Sequence, residues 1–280
     1  MPDLWLPGAE RHPLGDTAPT DTQYDPRVIW HITWDKNASA AKPADLLPFD
    51  TLVRYFTGGG KGAAPHLLWD PFTSRTAQFY PANSRSKSVV DLAGGTRTNR
   101  TGRVCLQVET LFFPYCRVNG KSYATVRETP AKGLDKILAW ARSWGVPDTW
   151  PMGAPTWKAK RSQHTWETEG GHYGHGQTPE NQHTDPGPMP TWPTTSTPKP
   201  GPPAFPGRTA FGPGRSNGSI LLLGQQLVRK GFDKHYRVGP TRDWGEADRL
   251  NVADFQRAQK WTGSDADGYP GPETWRRLFA

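Results

Sequence analysis

The chain has 280 residues, about two domains' worth of sequence, and its 30 glycines and 29 prolines are too many for packed domain throughout, so some stretch is linker. Its net charge of +8 suits a polyanionic partner, but that charge divides as +3 over 1–187, +3 over 188–215 and +2 over 216–280. A charge spread in this way excludes a concentrated nucleic-acid arm, and no apolar run reaches membrane-span length.

In chain order, the opening MPDLWLPGAERHPLGD lacks the basic start and apolar core of a secretory signal. RVIWHITW at 27–34 is a short apolar run of strand formers and predicts a central strand. Leu46, Phe49, Leu52, Val53 and Phe56 recur at helical spacing, and GGGKG at 58–62 ends that helix. LLW at 67–69, TAQFY at 76–80 and VCLQV at 104–108 read as further strands, the last closed by Glu109. Leu134, Ile137, Leu138, Ala141 and Trp144 mark a second amphipathic helix, stopped by Gly145 with Pro147 just beyond. GGHYGHGQTPENQHTDPG at 170–187 is polar and rich in glycine and proline, which predicts a loop throughout. Strands interleaved with helices imply an α/β fold, a mixed sheet flanked by helices, over 1–187.

From 188 to 215, nine of 28 residues are proline and four are glycine, predicting a semi-extended linker. Beyond it, Leu221 to Val228, Val252 to Gln259 and Glu273 to Phe279 read as three short helices, a small all-α domain at 216–280 better suited to binding than to catalysis. Cys105 and Cys116 are neither a disulfide scaffold nor a zinc knuckle and read as buried free thiols.

The histidines carry the chemical signal. His172, His175 and His183 fall in the 170–187 loop, where by themselves they read equally well as solvated loop residues. His31 lies inside an apolar strand, where a histidine must be hydrogen-bonded or ligated. Together His31, His175 and Asp185 offer two nitrogens and a carboxylate oxygen, a three-ligand set for a catalytic zinc with one position open to water. Glu109 can point into the same cleft as a base, or be an ordinary exposed strand end, and His183, two residues before Asp185, can donate to a developing oxyanion.

The strand VIWHITW, the PHLLW strand with AQFYP, the strand CLQVE and the run GHGQTPENQHTDPG resemble the type 2 N-acetylmuramoyl-L-alanine amidases, zinc enzymes that share a fold with peptidoglycan-recognition proteins. Carried over residue by residue, the resemblance places the zinc ligands on His31, His175 and Asp185 and the catalytic glutamate on Glu109. His183 stands where that family often has lysine; His172 falls outside the motif as a loop residue, and His66 has no assigned role. LLLGQQLVRKG, VADFQRAQKW and DADGYPGPETWRRL resemble the three-helix peptidoglycan-binding domains of wall hydrolases. The combination implies an endolysin of phage type: a monomer, made without a signal peptide in the host cytoplasm and freed by a holin. Its partner is bacterial peptidoglycan, with neither nucleic acid nor membrane. Two alternatives are a non-catalytic peptidoglycan-recognition protein and a host autolysin.

Overall fold

The computed structural model describes residues 2–34, 38–91, 97–192 and 203–279. The chain divides into two compact units, Met1–Thr197 and Pro198–Ala280.

In the first unit the elements run β1 (Glu10–Arg11), β2 (Arg27–Ile32), β3 (Ala44–Asp45), α1 (Phe49–Thr57), β4 (Leu67–Trp69), β5 (Thr76–Gln78), β6 (Cys105–Thr110), β7 (Cys116–Val118), β8 (Lys121–Tyr123), α2 (Leu134–Ser143), α3 (Gln163–Thr168) and β9 (Gly171–Gly174). Six strands form one mixed sheet in the order β1-β5-β4-β6-β2-β9, and β3, β7 and β8 form a separate small sheet. The four strands β4, β6, β2 and β9 are parallel, while β5 runs antiparallel to β4. This is the mixed α/β architecture expected from the sequence.

Every residue of β2 is buried, because β2 lies inside the sheet between β6 and β9 and apolar side chains pack on both of its faces. On one face Leu134, Ile137, Leu138 and Ala141 of α2 join a core with Val28, Trp30, Leu106 and Val108. On the other, Phe49, Leu52, Val53 and Phe56 of α1 pack with Leu68, Ala77 and Phe79. Strand alternation therefore sends Val28, Trp30 and Ile32 towards α2, and His31 to the α1 side. Past the end of α2, Gly145 takes a φ of +83° and the Val146 N–H reaches back to the Ala141 carbonyl at 3.1 Å, closing the helix where the sequence predicted.

Several expectations are corrected. The run at 170–187 is not loop throughout, since it opens with β9, in which His172 and Gly174 pair with Val28 and Trp30 of β2. Four residues containing two glycines show no periodicity, so only the partner strand identifies them. His172, expected as a loop residue, is buried as a consequence, with its Nδ1 accepting from the Trp30 indole at 3.0 Å. Glu109 lies one residue inside β6 rather than at its end, and β5 stops at Gln78.

The linker expected at 188–215 covers residues 193–202, which lie outside the described residues. Before them, Met189 is 2% exposed in the α2-side core and Trp192 packs on His172 and Trp150. After them, Phe205 and Phe211 pack with Trp275. These side chains carry enough apolar area to be drawn into the cores beside them, which an extended proline segment alone would not be.

The second unit holds α4 (Gly218–Arg229), α5 (Glu246–Ala258) and α6 (Pro272–Leu278) around Ile220, Leu223, Leu227, Val252, Phe255, Trp275 and Leu278. Asn217 caps α4, accepting from the Ser219 and Ile220 N–H groups, and Pro272 opens α6 at a position where its missing N–H costs nothing. No helix among the described residues is long and apolar enough to cross a membrane. Cys105 and Cys116 are both buried and free.

Candidate metal centre

Parallel pairing places three candidate side chains in one row. His31 is the register partner of Glu109 on β6, and on its other side Trp30 pairs with Gly174, so His175 follows directly beside it. Adjacent strands lie about 4.8 Å apart, which sets neighbouring side chains on one face within reach of a common ligand. The fourth group, Asp185, comes from the loop after β9, and its Oδ2 accepts from the Ile32 N–H at 3.3 Å.

The Nδ1 atoms of His31 and His175 lie 3.0 Å apart; Asp185 Oδ1 is 3.4 Å from His175 Nδ1, and Asp185 Oδ2 is 3.8 Å from His31 Nδ1. Bonds of about 2.0–2.1 Å at tetrahedral angles put donor atoms about 3.4 Å apart, so these three converge as ligands of a single ion would. All three residues are buried, and the group could hold a metal ion. Glu109 reaches to 4.0 Å from His31 Nδ1 with its Oε1 and is 13% exposed at its side chain. His183 is 64% exposed, its ring stacked on His175 at 4.1 Å between centroids, and its Nδ1 is 3.4 Å from Asp185 Oδ1. It therefore forms the solvent side of the cluster.

Charge balance follows burial. Loss of solvent, aided by His175, holds the His31 imidazole well below its usual pKa, which keeps it neutral as a ligand must be. Burial pushes the Glu109 carboxyl well above the usual range, and the Asp185 charge adds to that shift. Burial alone would raise Asp185 as well, but hydrogen bonds from His175 and His183 outweigh it and hold that carboxyl low. The other ring nitrogen of His31, Nε2, has no hydrogen-bond partner among the described residues.

The loop that carries His175 and Asp185 is held by residues that show no motif. The Gly176 N–H donates to the Asp185 carbonyl at 2.8 Å, and the Asn181 amide to the His175 carbonyl at 3.1 Å. Arg161 donates to the Thr178 carbonyl at 3.1 Å and to the His183 carbonyl at 2.6 Å. Gly174 is required for this closure, because a Cβ there would stand 2.8 Å from the Pro186 ring. The sequence reading brought out His31, His175, Asp185, Glu109 and His183, and the fold brings all five together. It missed Arg161 and Asn181, whose contacts run through the backbone and leave no spacing signal.

His66 and His172 lie elsewhere. His66 Nδ1 accepts from the Gln107 N–H at 3.0 Å and its Nε2 donates to the Ser84 carbonyl at 2.8 Å, a satisfied structural histidine. His172 sits among Trp30, Trp150 and Trp192 on the opposite face of the sheet from His31.

No protein-family model matches the chain, and no curated protein matches it. Among solved structures, the chain is similar to the Staphylococcus aureus hydrolase AmiA in complex with its ligand, at 13% identity and a TM-score of 0.34 over 65% of this chain and 74% of that one. A second likeness is to LysCS, an endolysin N-acetylmuramoyl-L-alanine amidase from Clostridium intestinale, at 14% identity and a TM-score of 0.28, covering 52% and 80% respectively. A third is to a mutant endolysin from Bacillus subtilis, at 16% identity and a TM-score of 0.24, covering 49% and 99%.

Proposed function

We propose that this chain is a zinc-dependent N-acetylmuramoyl-L-alanine amidase that cuts the amide between the lactyl group of N-acetylmuramic acid and L-alanine in bacterial peptidoglycan. The observation that carries the reading is the buried convergence of His31, His175 and Asp185 beside Glu109 on the neighbouring strand. The substrate class comes from the resemblance of VIWHITW, CLQVE and GHGQTPENQHTDPG to that amidase family.

Zinc would be held by the Nδ1 atoms of His31 and His175 and by the Asp185 carboxylate; when bound, it acidifies a water and polarises the scissile carbonyl. Glu109 faces the same space, so its carboxylate takes the proton of the attacking water and passes it to the departing alanine nitrogen. As the C–N bond breaks, the water oxygen stays on the lactyl carboxylate. His183, at the exposed edge, donates a hydrogen bond to the oxygen on which negative charge develops.

In this reading the three-helix unit anchors the enzyme on the wall, raising the local substrate concentration without entering the chemistry. The chain then works as a monomeric endolysin of phage type, released from the cytoplasm that made it.

Digestion of purified cell walls, with the products weighed by mass spectrometry, tests the assignment. New free amino termini on L-alanine are expected. New reducing sugars instead, or no cleavage by zinc-loaded protein that still sediments with walls, would overturn it, the second result pointing to a recognition protein.

A further inference from the structure

Behind Glu109, the α1-side face of the sheet carries polar groups that the catalytic reading does not use. Gln107 precedes Glu109 by two residues on β6 and so shares its face; it is fully buried, and neither its Oε1 nor its Nε2 has a hydrogen-bond partner among the described residues. Ser86 is also fully buried, and its Oγ has no partner among them either. The inner oxygen of Glu109, Oε2, is in the same condition.

Gln107 and Glu109 follow one another along the same face of β6. The segment SRSKS at 84–88 crosses the face, fixed where the Ser84 carbonyl accepts from His66 and where the Lys87 N–H donates to the Ala64 carbonyl, both at 2.8 Å. Its Ser88 hydroxyl donates to the Ala63 carbonyl at 2.9 Å and is also a hydrogen-bonding neighbour of the Glu109 carboxyl, while Ser84 holds the His66 ring that accepts from the Gln107 N–H, so along the chain Ser86 falls between a contact of Gln107 and a contact of Glu109. Buried amides and hydroxyls left without protein partners are ordinarily satisfied by internal water making two to four hydrogen bonds. Residues two apart on a strand are separated by about 6.7 Å, and two hydrogen bonds in series through one water span about 5.6 Å. The difference of about 1 Å is within reach of the long Gln107 side chain, which leans along its strand, so one water can join its amide to the Glu109 carboxyl.

We propose that Gln107 and Ser86 hold an internal water against Oε2 of Glu109, making Gln107 a positioning residue for that carboxylate. A carboxylate gripped at its inner oxygen cannot turn away from the ligand cluster, and its outer Oε1 stays aimed at the space beside His31. The inference rests on the amidase reading, in which Glu109 handles the proton.

High-resolution crystallography of the full-length chain is expected to show an ordered water within hydrogen-bond distance of the Gln107 amide and the Ser86 hydroxyl; a dry site there overturns the proposal. Gln107→Met keeps length and bulk but removes both polar atoms. With metal content and KM on muropeptides unchanged, its kcat is expected to fall about tenfold, since the residue acts through Glu109 and not on substrate. Ser86→Ala should show a smaller fall in kcat, and the double variant should be no slower than Gln107→Met alone, because both lose the same water. Unaltered kcat in Gln107→Met overturns the proposal, and if that variant does not fold, Ser86→Ala decides in its place. Glu109→Gln separates the two levels: full activity there removes the amidase mechanism itself, whereas a dead Glu109→Gln beside an unimpaired Gln107→Met removes only the positioning role.

Discussion

His31 and Glu109 face each other as register partners across the parallel pair β2–β6, with Nδ1 and Oε1 4.0 Å apart. The proposed base and one proposed ligand are thus set by one sheet, not by loops. Loop changes elsewhere should alter affinity for the wall more than the relation between these two groups.

Removing a ligand should cost the metal outright. His175→Ala deletes one of three converging donors, and metal analysis of the purified variant is expected to show less than a tenth of the wild-type zinc, with lysis lost in parallel. Full zinc in that variant would strike His175 from the ligand set.

Glu109→Gln is nearly isosteric and leaves the three donors in place. Zinc content is expected to stay at the wild-type level while the rate falls by about 10²–10⁴, the usual worth of positioned proton transfer. Parallel loss of zinc would instead make Glu109 a ligand.

His183 is tied to its loop through its backbone: the N–H donates to Asn181 Oδ1 at 2.9 Å and the carbonyl accepts from Arg161. His183→Ala should therefore retain fold and zinc while kcat falls about tenfold, and His183→Lys should recover much of that loss by restoring a donor. Equal rates for all three proteins would leave the imidazole a packing role only.

Burial lowers the His66 pKa to about 4, so the folded state binds its proton later than the unfolded chain, whose histidines titrate near 6.5. The stabilisation from neutral His66 is whole above about pH 6.5 and drains away as pH falls towards 4, amounting to about 3 kcal/mol across that window. Glutamine can make both of its hydrogen bonds without titrating. Urea unfolding is expected to show wild type losing more stability than His66→Gln between pH 7 and 4.5, and matching slopes would refute the assignment.

Domain limits have consequences for truncation. A fragment ending at 187 lacks Met189 and Trp192, which cover the first core and His172, whereas one ending at 192 keeps both. Burial of such side chains contributes about 2–4 kcal/mol each, so the 1–192 fragment is expected to melt several degrees higher than 1–187. Both fragments should cleave soluble muropeptides, but both should lose potency on intact walls. Equal melting temperatures would show that the segment after 187 adds nothing to the first unit.

The amino-acid pattern by itself determined the elements that have a period. The helix through Phe49, Leu52, Val53 and Phe56, the helix from Leu134, the apolar strand around His31 and the three C-terminal helices are all legible, because one-sided burial imposes a spacing of 3.6 or 2 on the sequence. The candidate residues that the fold brings together were legible too, since a histidine inside VIWHI and the GHGQTPENQHTDPG run are unusual enough to stand out. Tertiary structure alone decided the rest. Strands of two to four residues such as β1, β3 and β9 exist through their partners, so no local signal marks them. The same pairing turned His172 inward and set Glu109 level with His31. It also left the buried Gln107 amide side chain without a hydrogen-bond partner among the described residues, because which polar groups meet across a sheet depends on register, and register is a property of two strands at once.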